Sequence, residues 1–250
     1  MLKELIARFR QGHRTIAFPA AEPQLPDRFR GRPSWERAKC VADCMECAKV
    51  CPTGAIQGAG PAGLDLGRCL FCEDCARACP SGALRFTQDF RLAARSRQDL
   101  ITSDGTLKEM EGLSAQLRGL LGRSLKLRQV SAGGCGACEA DINVLGTVVF
   151  DLGRFGVQFV ASPRHADGLL ITGPVTKNME LALRKTYDAV PAPKIVIACG
   201  ACAVSGGPYL GSPQVLDGAA GVVPVDLFIP GCPPHPLTIL DAILRLLGPR

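Results

Sequence analysis

Short apolar runs alternate with helix-spaced apolar positions through the second half of the chain. The runs Leu125 to Val130, Val157 to Ala161, Leu169 to Thr172, Ile195 to Ala198 and Val225 to Ile229 are too short for packed helices. They are apolar on consecutive positions, as strands buried on both faces are. Helical spacing falls between and after them, over Ile142 to Val149, Lys177 to Ala189 and Leu237 to Leu247. This alternation predicts an α/β fold built on a flavodoxin-like, doubly wound parallel sheet, whose sites lie at the carboxyl ends of its strands. Upstream, Leu107, Met110, Leu113, Leu117, Leu120 and Leu121 form a helical stripe, with Asp104 and Gly105 as its start and Gly122 as its end. Such a stripe packs, so this helix is expected to be a strut, reached through a polar connector from Phe86 to Gly105. At the amino end Leu2, Leu5, Ile6 and Phe9 share one helical face and Lys3, Arg8 and Arg10 lie elsewhere. That pattern suits a frayed terminal helix, or one that docks on a partner or a lipid surface.

Ahead of the strut, cysteines rather than periodicity carry the information. Cys69, Cys72, Cys75 and Cys79, the last followed by Pro80, stand as GRCLFCEDCARACP. Three thiolates at this spacing wrap one cubane cluster, and the fourth, before proline, reaches a second. An earlier run of Cys40, Cys44, Cys47 and Cys51, with Pro52, supplies the other half, and the tails CPTGAI and CPSGAL repeat. Spacing therefore pairs Cys40, Cys44, Cys47 and Cys79 around one cluster and Cys51, Cys69, Cys72 and Cys75 around the other, in an α+β ferredoxin-like module. Cys40 and Cys44 are separated by three residues where a ferredoxin has two, so the first loop must bulge. The same run has the C-x3-C-x2-C spacing of radical S-adenosylmethionine enzymes, but here it sits inside a full ferredoxin repeat. Structural zinc on four thiolates is the plainer rival. The expected division is residues 1–90 for the two-cluster module, 91–124 for the linker with its helix, and 125–250 for the α/β module.

Composition narrows the classes. The chain has 250 residues and 47% hydrophobic content, enough for one large core or two small ones. Thirteen cysteines without a hydrophobic leader ahead of them read as metal ligands in a reducing compartment, not as disulfides. No apolar run approaches the ~18 residues that a membrane span needs. Residues 1–130 hold 21 Lys and Arg against 14 Asp and Glu, and the remainder 8 against 9. The basic residues are scattered and only one Trp and two Tyr are available for stacking, so nucleic acid is not the expected partner. Anionic clusters and partner subunits suit the charge better.

In the α/β module, Cys135 and Cys138 follow the first strand, Cys199 and Cys202 another, and Cys232 the last. Two CGAC pairs alone would suit a four-thiolate zinc site or the paired ligands of a nickel-iron centre; Cys232, in PGCPP, weighs against both. No G-x-G-x-x-G opens a helix after a strand, which excludes a phosphate loop around Gly200, Gly206 and Gly207.

The stretches GGCGACEADI, DLGRFG, VASPRHAD, LLITGPVTKNM, PKIVIACGACAVSGG and VPVDLFIPGCPP resemble the small subunit of membrane-bound nickel-iron hydrogenases of the formate hydrogenlyase type, relatives of the complex I 20 kDa subunit. RFRGRP, GRCLFCEDCARACP and FTQDFRLAARSRQDL are similar to the ferredoxin-like subunit of the same complexes, so the chain looks like a fusion of the two. The resemblance implies that Cys135, Cys138, Cys202 and Cys232 ligate a third 4Fe4S cluster and that Cys199 is a buried spectator. It puts Glu139, Arg164 and His165 near that cluster. C-x2-C followed by Glu139 is the hydrogenase arrangement, where complex I subunits carry adjacent cysteines. The family's basic and aromatic pair ahead of DLGRFG is replaced by Val149 and Phe150. The implied function is one-electron relay through three 4Fe4S clusters in an oxidoreductase complex, with no catalytic residue in this chain. Its partners would be a nickel-iron large subunit and membrane subunits, with the chain cytoplasmic and peripheral on the inner face of the membrane.

Overall fold

The computed structural model describes residues 2–58, 63–102, 106–122 and 124–248. Helix α1 (Leu2–Gln11) opens the chain, and an extended segment leads to β1 (Pro33–Trp35). Two related units follow: α2 (Glu46–Lys49) with β2 (Leu64–Asp65), and α3 (Asp74–Arg77) with β3 (Leu84–Phe86). A last short strand, β4 (Ile101–Thr102), completes this half. β1 pairs antiparallel with β3, and β2 with β4. The repeated tails take matching shapes, because Gly54 and Gly82 both turn the chain at positive φ, 60° and 64°, where a Cβ is disfavoured.

The second half contains α4 (Ala115–Leu121), β5 (Leu125–Ser131), α5 (Ala137–Val144), β6 (Val157–Phe159), β7 (Gly168–Thr172), α6 (Lys177–Ala189), β8 (Ile195–Cys199), α7 (Ala201–Ser205), β9 (Leu227–Ile229) and α8 (Pro236–Leu247). Its five strands are all parallel in the order β6-β5-β7-β8-β9, the doubly wound arrangement expected. Alternation along the strands splits the core in two. Leu169, Ile171, Val196 and Ala198 face α6 and α7, while Leu170, Ile195, Ile197 and Cys199 face α5 and α8. The first of these cores also holds Trp35, Leu64, Leu66 and Leu84, so the cysteine-rich half packs as a continuation of the sheet's covering layer.

Several hydrogen bonds tie the halves together. Ala94 exchanges both backbone hydrogen bonds with Phe228 and covers the edge of β9, which would otherwise present unpaired groups. The Ser205 hydroxyl donates to Gly67 O at 2.8 Å. On the opposite side of the sheet Ile16 N–H donates to Val149 O at 2.9 Å, and Phe18 meets Phe90 edge-on at 5.7 Å.

Two expected helices differ from those found. The leucine stripe becomes helical only at Ala115, where the Ser114 hydroxyl caps the helix by accepting from Leu117 N–H; Asp104 and Gly105 lie outside the described residues. Ahead of that cap the chain is irregular, and Leu113 N–H donates to Leu246 O at 2.8 Å. Met110 and Leu113 are buried in the same core as α8, so burial against a neighbour replaces the i to i+4 ladder. Gly122 does end the helix. The helix expected at Ile142 to Val149 instead starts at Ala137 and ends at Val144, because Gly136, at φ 87°, opens it directly after the cysteine loop.

Candidate metal centres

None of the thirteen cysteines is disulfide-bonded, and the charge each feels sorts most of them into groups. The Cys47 thiol is pushed up by burial first and then by the neighbouring charges of Cys44 and Cys79. Cys69 is raised by burial and then by Cys75, Cys51 and Cys72; Cys75 is pushed up to about 12 by burial, Cys51, Cys72 and Cys47. Cys79 thus acts on Cys47 of the first run, and Cys51 acts on Cys69 and Cys75 of the second. Cys40 Sγ lies 3.9 Å from Val41 O.

Local backbone explains the loops. Asp43 (φ 57°) and Phe71 (φ 54°) stand immediately before Cys44 and Cys72 in the left-handed region, so both runs turn at the same place. The additional residue of the first run is taken up in a turn where Cys44 N–H donates to Val41 O at 3.3 Å. Backbone donors face the sulfurs: Ala55 N–H reaches Cys51 Sγ at 3.2 Å and Phe71 N–H reaches Cys69 Sγ at 3.4 Å. At Cys79 burial pushes the thiol up, but backbone donors from Leu84, Ala83 and Ser81 and the Ser81 hydroxyl outweigh it and leave the thiol lowered.

The third group gathers at the carboxyl end of the parallel sheet, beside its switch point. Cys135 follows β5, Cys138 lies in the first turn of α5, Cys202 in α7 after β8, and Cys232 after β9. Burial and the charges of Cys202, Glu139, Cys232 and Cys135 push Cys138 up to about 12. Burial, Cys232, Cys135 and Glu139 push Cys202 to about 11. Glycines leave room for the sulfurs. A Cβ on Gly200 would stand 2.5 Å from Cys138 Sγ, and one on Gly207 3.0 Å from Cys202 Sγ. Cys199 belongs to the alternation that faces α8, and its thiol, fully buried, is raised well above the usual range by burial and then by Cys138, Glu139 and Asp141.

Thiolates that repel one another in half-buried sites need a cationic centre among them, and all-sulfur donor sets with N–H donors aimed at the sulfurs fit iron-sulfur clusters. Among the described residues no three His, Cys, Asp or Glu side chains close around the space of one metal ion. The groups also act on one another electrostatically. Cys47 contributes to the charge at Cys75, and Cys72 to that at Cys232. Between Cys72 and Cys232 lies a cavity of about 530 Å³ walled in part by Phe29, Phe71, Asp141 and His235.

A family model described as NADH ubiquinone oxidoreductase, 20 Kd subunit, matches residues 135–246, and one described as 4Fe-4S binding domain matches residues 32–56. The probable membrane-bound hydrogenase subunit mbhJ of Pyrococcus furiosus is 42% identical over 147 residues, which is 59% of this chain and 88% of that protein. This chain belongs to the complex I 20 kDa and nickel-iron hydrogenase small subunit family. Among solved structures, a chain of the membrane-bound sulfane sulfur reductase, an archaeal respiratory membrane complex, is 33% identical with a TM-score of 0.47, covering 53% of this chain and 73% of its own. A chain of an NAD+-reducing nickel-iron hydrogenase is 24% identical with a TM-score of 0.39, covering 50% and 92%.

In this 20 kDa-family member Glu139 is held as a fixed charge. Burial alone would push its carboxyl up, but the Ser131 and Thr172 hydroxyls each donate to Oε1 at 2.6 Å, and with its own backbone N–H they hold it below the usual range. A standing negative charge disfavours a reduced centre beside it. Were the group of Cys135, Cys138, Cys202 and Cys232 to hold a cluster, Glu139→Gln would raise its midpoint potential on the order of 60 mV, a tenfold change in a one-electron equilibrium, read by an electron paramagnetic resonance redox titration. An unshifted potential would show that the charge is not felt.

Arg164 and His165 lie in the turn that joins β6 to β7. Their turn leaves β6 after Phe159 and enters β7 at Gly168, both level with Leu127, and Asp167 accepts from Lys126 N–H at 2.7 Å. That level is four residues, about 13 Å, short of Ser131, where β5 delivers the cysteine loop. Both side chains are exposed. At Val149, where the family pair would stand, the amino-terminal segment is bound through Ile16. Sequence reasoning missed Ser131 and Thr172, because a hydroxyl at a strand end carries no sign of the carboxylate it will hold. It also missed the cavity wall of Phe29 and His235, whose rings meet edge-on at 5.2 Å from positions far apart in the chain.

Proposed function

We propose that this chain is the iron-sulfur relay subunit of a membrane-associated nickel-iron hydrogenase complex of the formate hydrogenlyase type. In this reading Cys40, Cys44, Cys47 and Cys79 hold the first 4Fe4S cluster, Cys51, Cys69, Cys72 and Cys75 the second, and Cys135, Cys138, Cys202 and Cys232 the third. Residues 1–90 form the two-cluster unit, 91–124 the connector and 125–250 the hydrogenase-type unit. The observation that carries the proposal is geometric: Cys51, Cys69, Cys72 and Cys75 surround one apolar space, and Cys72 and Cys232 stand on the walls of one cavity. When bound, each cluster supplies a one-electron couple. The protein's part is ligation, spacing and exclusion of water, with Trp35, Leu64, Leu84 and Phe71 packed around the second group. Backbone N–H groups from Ala55 and Phe71 tune the sulfurs.

A large subunit would hold the nickel-iron site, and membrane subunits would seat the complex on the inner face of the cytoplasmic membrane. No helix among the described residues is long and apolar enough to cross a membrane. The description of the matching family favours a second reading, a cluster subunit of a complex I-like quinone oxidoreductase; the two differ in whether the co-purified large subunit contains nickel. The primary test is metal analysis after anaerobic purification. About twelve iron atoms per chain and almost no zinc are expected, and the isolated holo-chain is expected to evolve no hydrogen. Zinc in place of iron would reduce the chain to a metal-binding scaffold.

A further inference from the structure

We propose that α1 lies in the plane of an anionic bilayer surface and binds it directly. All four large apolar side chains of this helix point away from the protein: Leu2 is 73% exposed, Leu5 58%, Ile6 44% and Phe9 89%, and no residue of the helix is buried. Their spacing puts them on one stripe. At about 100° per residue, Lys3 and Arg10 flank that stripe on one side and Arg8 on the other, and Glu4 falls nearly opposite. This is the arrangement in which basic side chains reach up to phosphate headgroups while the apolar stripe sinks between acyl chains.

Further observations point the same way. A ten-residue helix is shorter than the ~12–15 residues at which an isolated helix becomes even marginally stable in water, so an exposed apolar face needs a cover. The helix is tethered where the apolar surface continues. The Thr15 hydroxyl donates to Val148 O at 2.7 Å, beside Val148 at 65% and Val149 at 40% exposure. Charge selects the occupant. Lys3, Arg8, Arg10 and Arg14 face only Glu4 among the first fourteen residues, so two copies of this face would repel, whereas an anionic lipid surface attracts it.

The inference deepens the membrane-associated reading above and is tested apart from it, since iron content and cluster spectra report that reading and vesicle partitioning reports this one. The iron-loaded full chain is sedimented with vesicles of equal parts phosphatidylcholine and phosphatidylglycerol, and with pure phosphatidylcholine. Binding to the anionic vesicles is expected, weakened by salt. Phe9→Asp is expected to lower partitioning by roughly tenfold or more, and Lys3→Gln with Arg10→Gln to lower it on anionic vesicles only, all with unchanged iron content. Equal binding by Phe9→Asp, or no binding by the natural chain, overturns the proposal. So does self-association that Phe9→Asp abolishes without vesicle binding, which would assign the face to a second copy.

Discussion

Replacing Cys202 by serine is expected to remove about four of about twelve iron atoms per chain, while replacing Cys199 by serine leaves the count unchanged. The two residues are neighbours in one CGAC motif, so spacing alone treats them alike. The fold separates them. Cys199 ends β8 on the alternation of Ile195 and Ile197, which points into the core with α8. Gly200 then turns the chain at φ 93°, and Cys202 rises in α7 on the other side, where it feels the charges of Cys232 and Cys135. The Cys199 thiol is fully buried in the apolar core shared with α8. Iron analysis paired with the resonance signal of the third centre checks both variants. Loss of iron in the Cys199 variant alone would overturn the ligand set. Gly200→Ala acts on the same site by crowding Cys138 Sγ, and serves as a steric control that leaves every thiol in place.

Asp65→Ala is expected to cost about 3 kcal/mol of stability, toward the lower end for removing one partner of a buried ion pair. Asp65 is 7% exposed in its side chain and lies against Arg97 at 2.5 Å and Arg68 at 3.5 Å. The arginines are 23% and 34% exposed, and the water they keep moderates the loss. Arg68 Nε and Arg97 Nη1 are already buried without a hydrogen-bond partner, so losing the carboxylate would leave two cations nearly uncompensated. The site is also where the halves meet. Asp65 pairs with Ile101 across β2 and β4, and a Cβ at Gly67 would strike both Arg97 and Val204 at 2.7 Å. For a chain of this size the loss corresponds to a melting point lower by roughly 6–12 °C, followed by circular dichroism on the iron-loaded protein. Asp65→Asn, which keeps an acceptor for Arg97, should recover part of it. A melting point equal to that of the natural chain would mean that the network contributes nothing to stability.

The legible parts of this protein are those where the physical constraint is local. Helix α6 falls on Lys177–Ala189 as its periodicity predicts, because helical spacing is set within the thirteen residues themselves. The repeat of the two cysteine runs was readable for a similar reason, and both runs turn in the left-handed region just before Cys44 and Cys72. The leucine stripe misled over its first half because apolar residues three apart can be buried against α8 by an irregular chain as well as by a helix. The level at which the turn of Arg164 and His165 stands against β5 was not legible, because strand pairing sets it and the motif does not.

By itself, the sequence determined the two ferredoxin-type loops, the parallel α/β order and the family, since each follows from short-range spacing or from near-continuous similarity. Only the tertiary structure decided that Cys199 packs in the core with α8, that Ser131 and Thr172 hold Glu139 charged, and that Cys72 and Cys232 line one cavity. Each of these joins residues from different strands or loops, and strand pairing, which spacing along the chain does not encode, sets which of them come together.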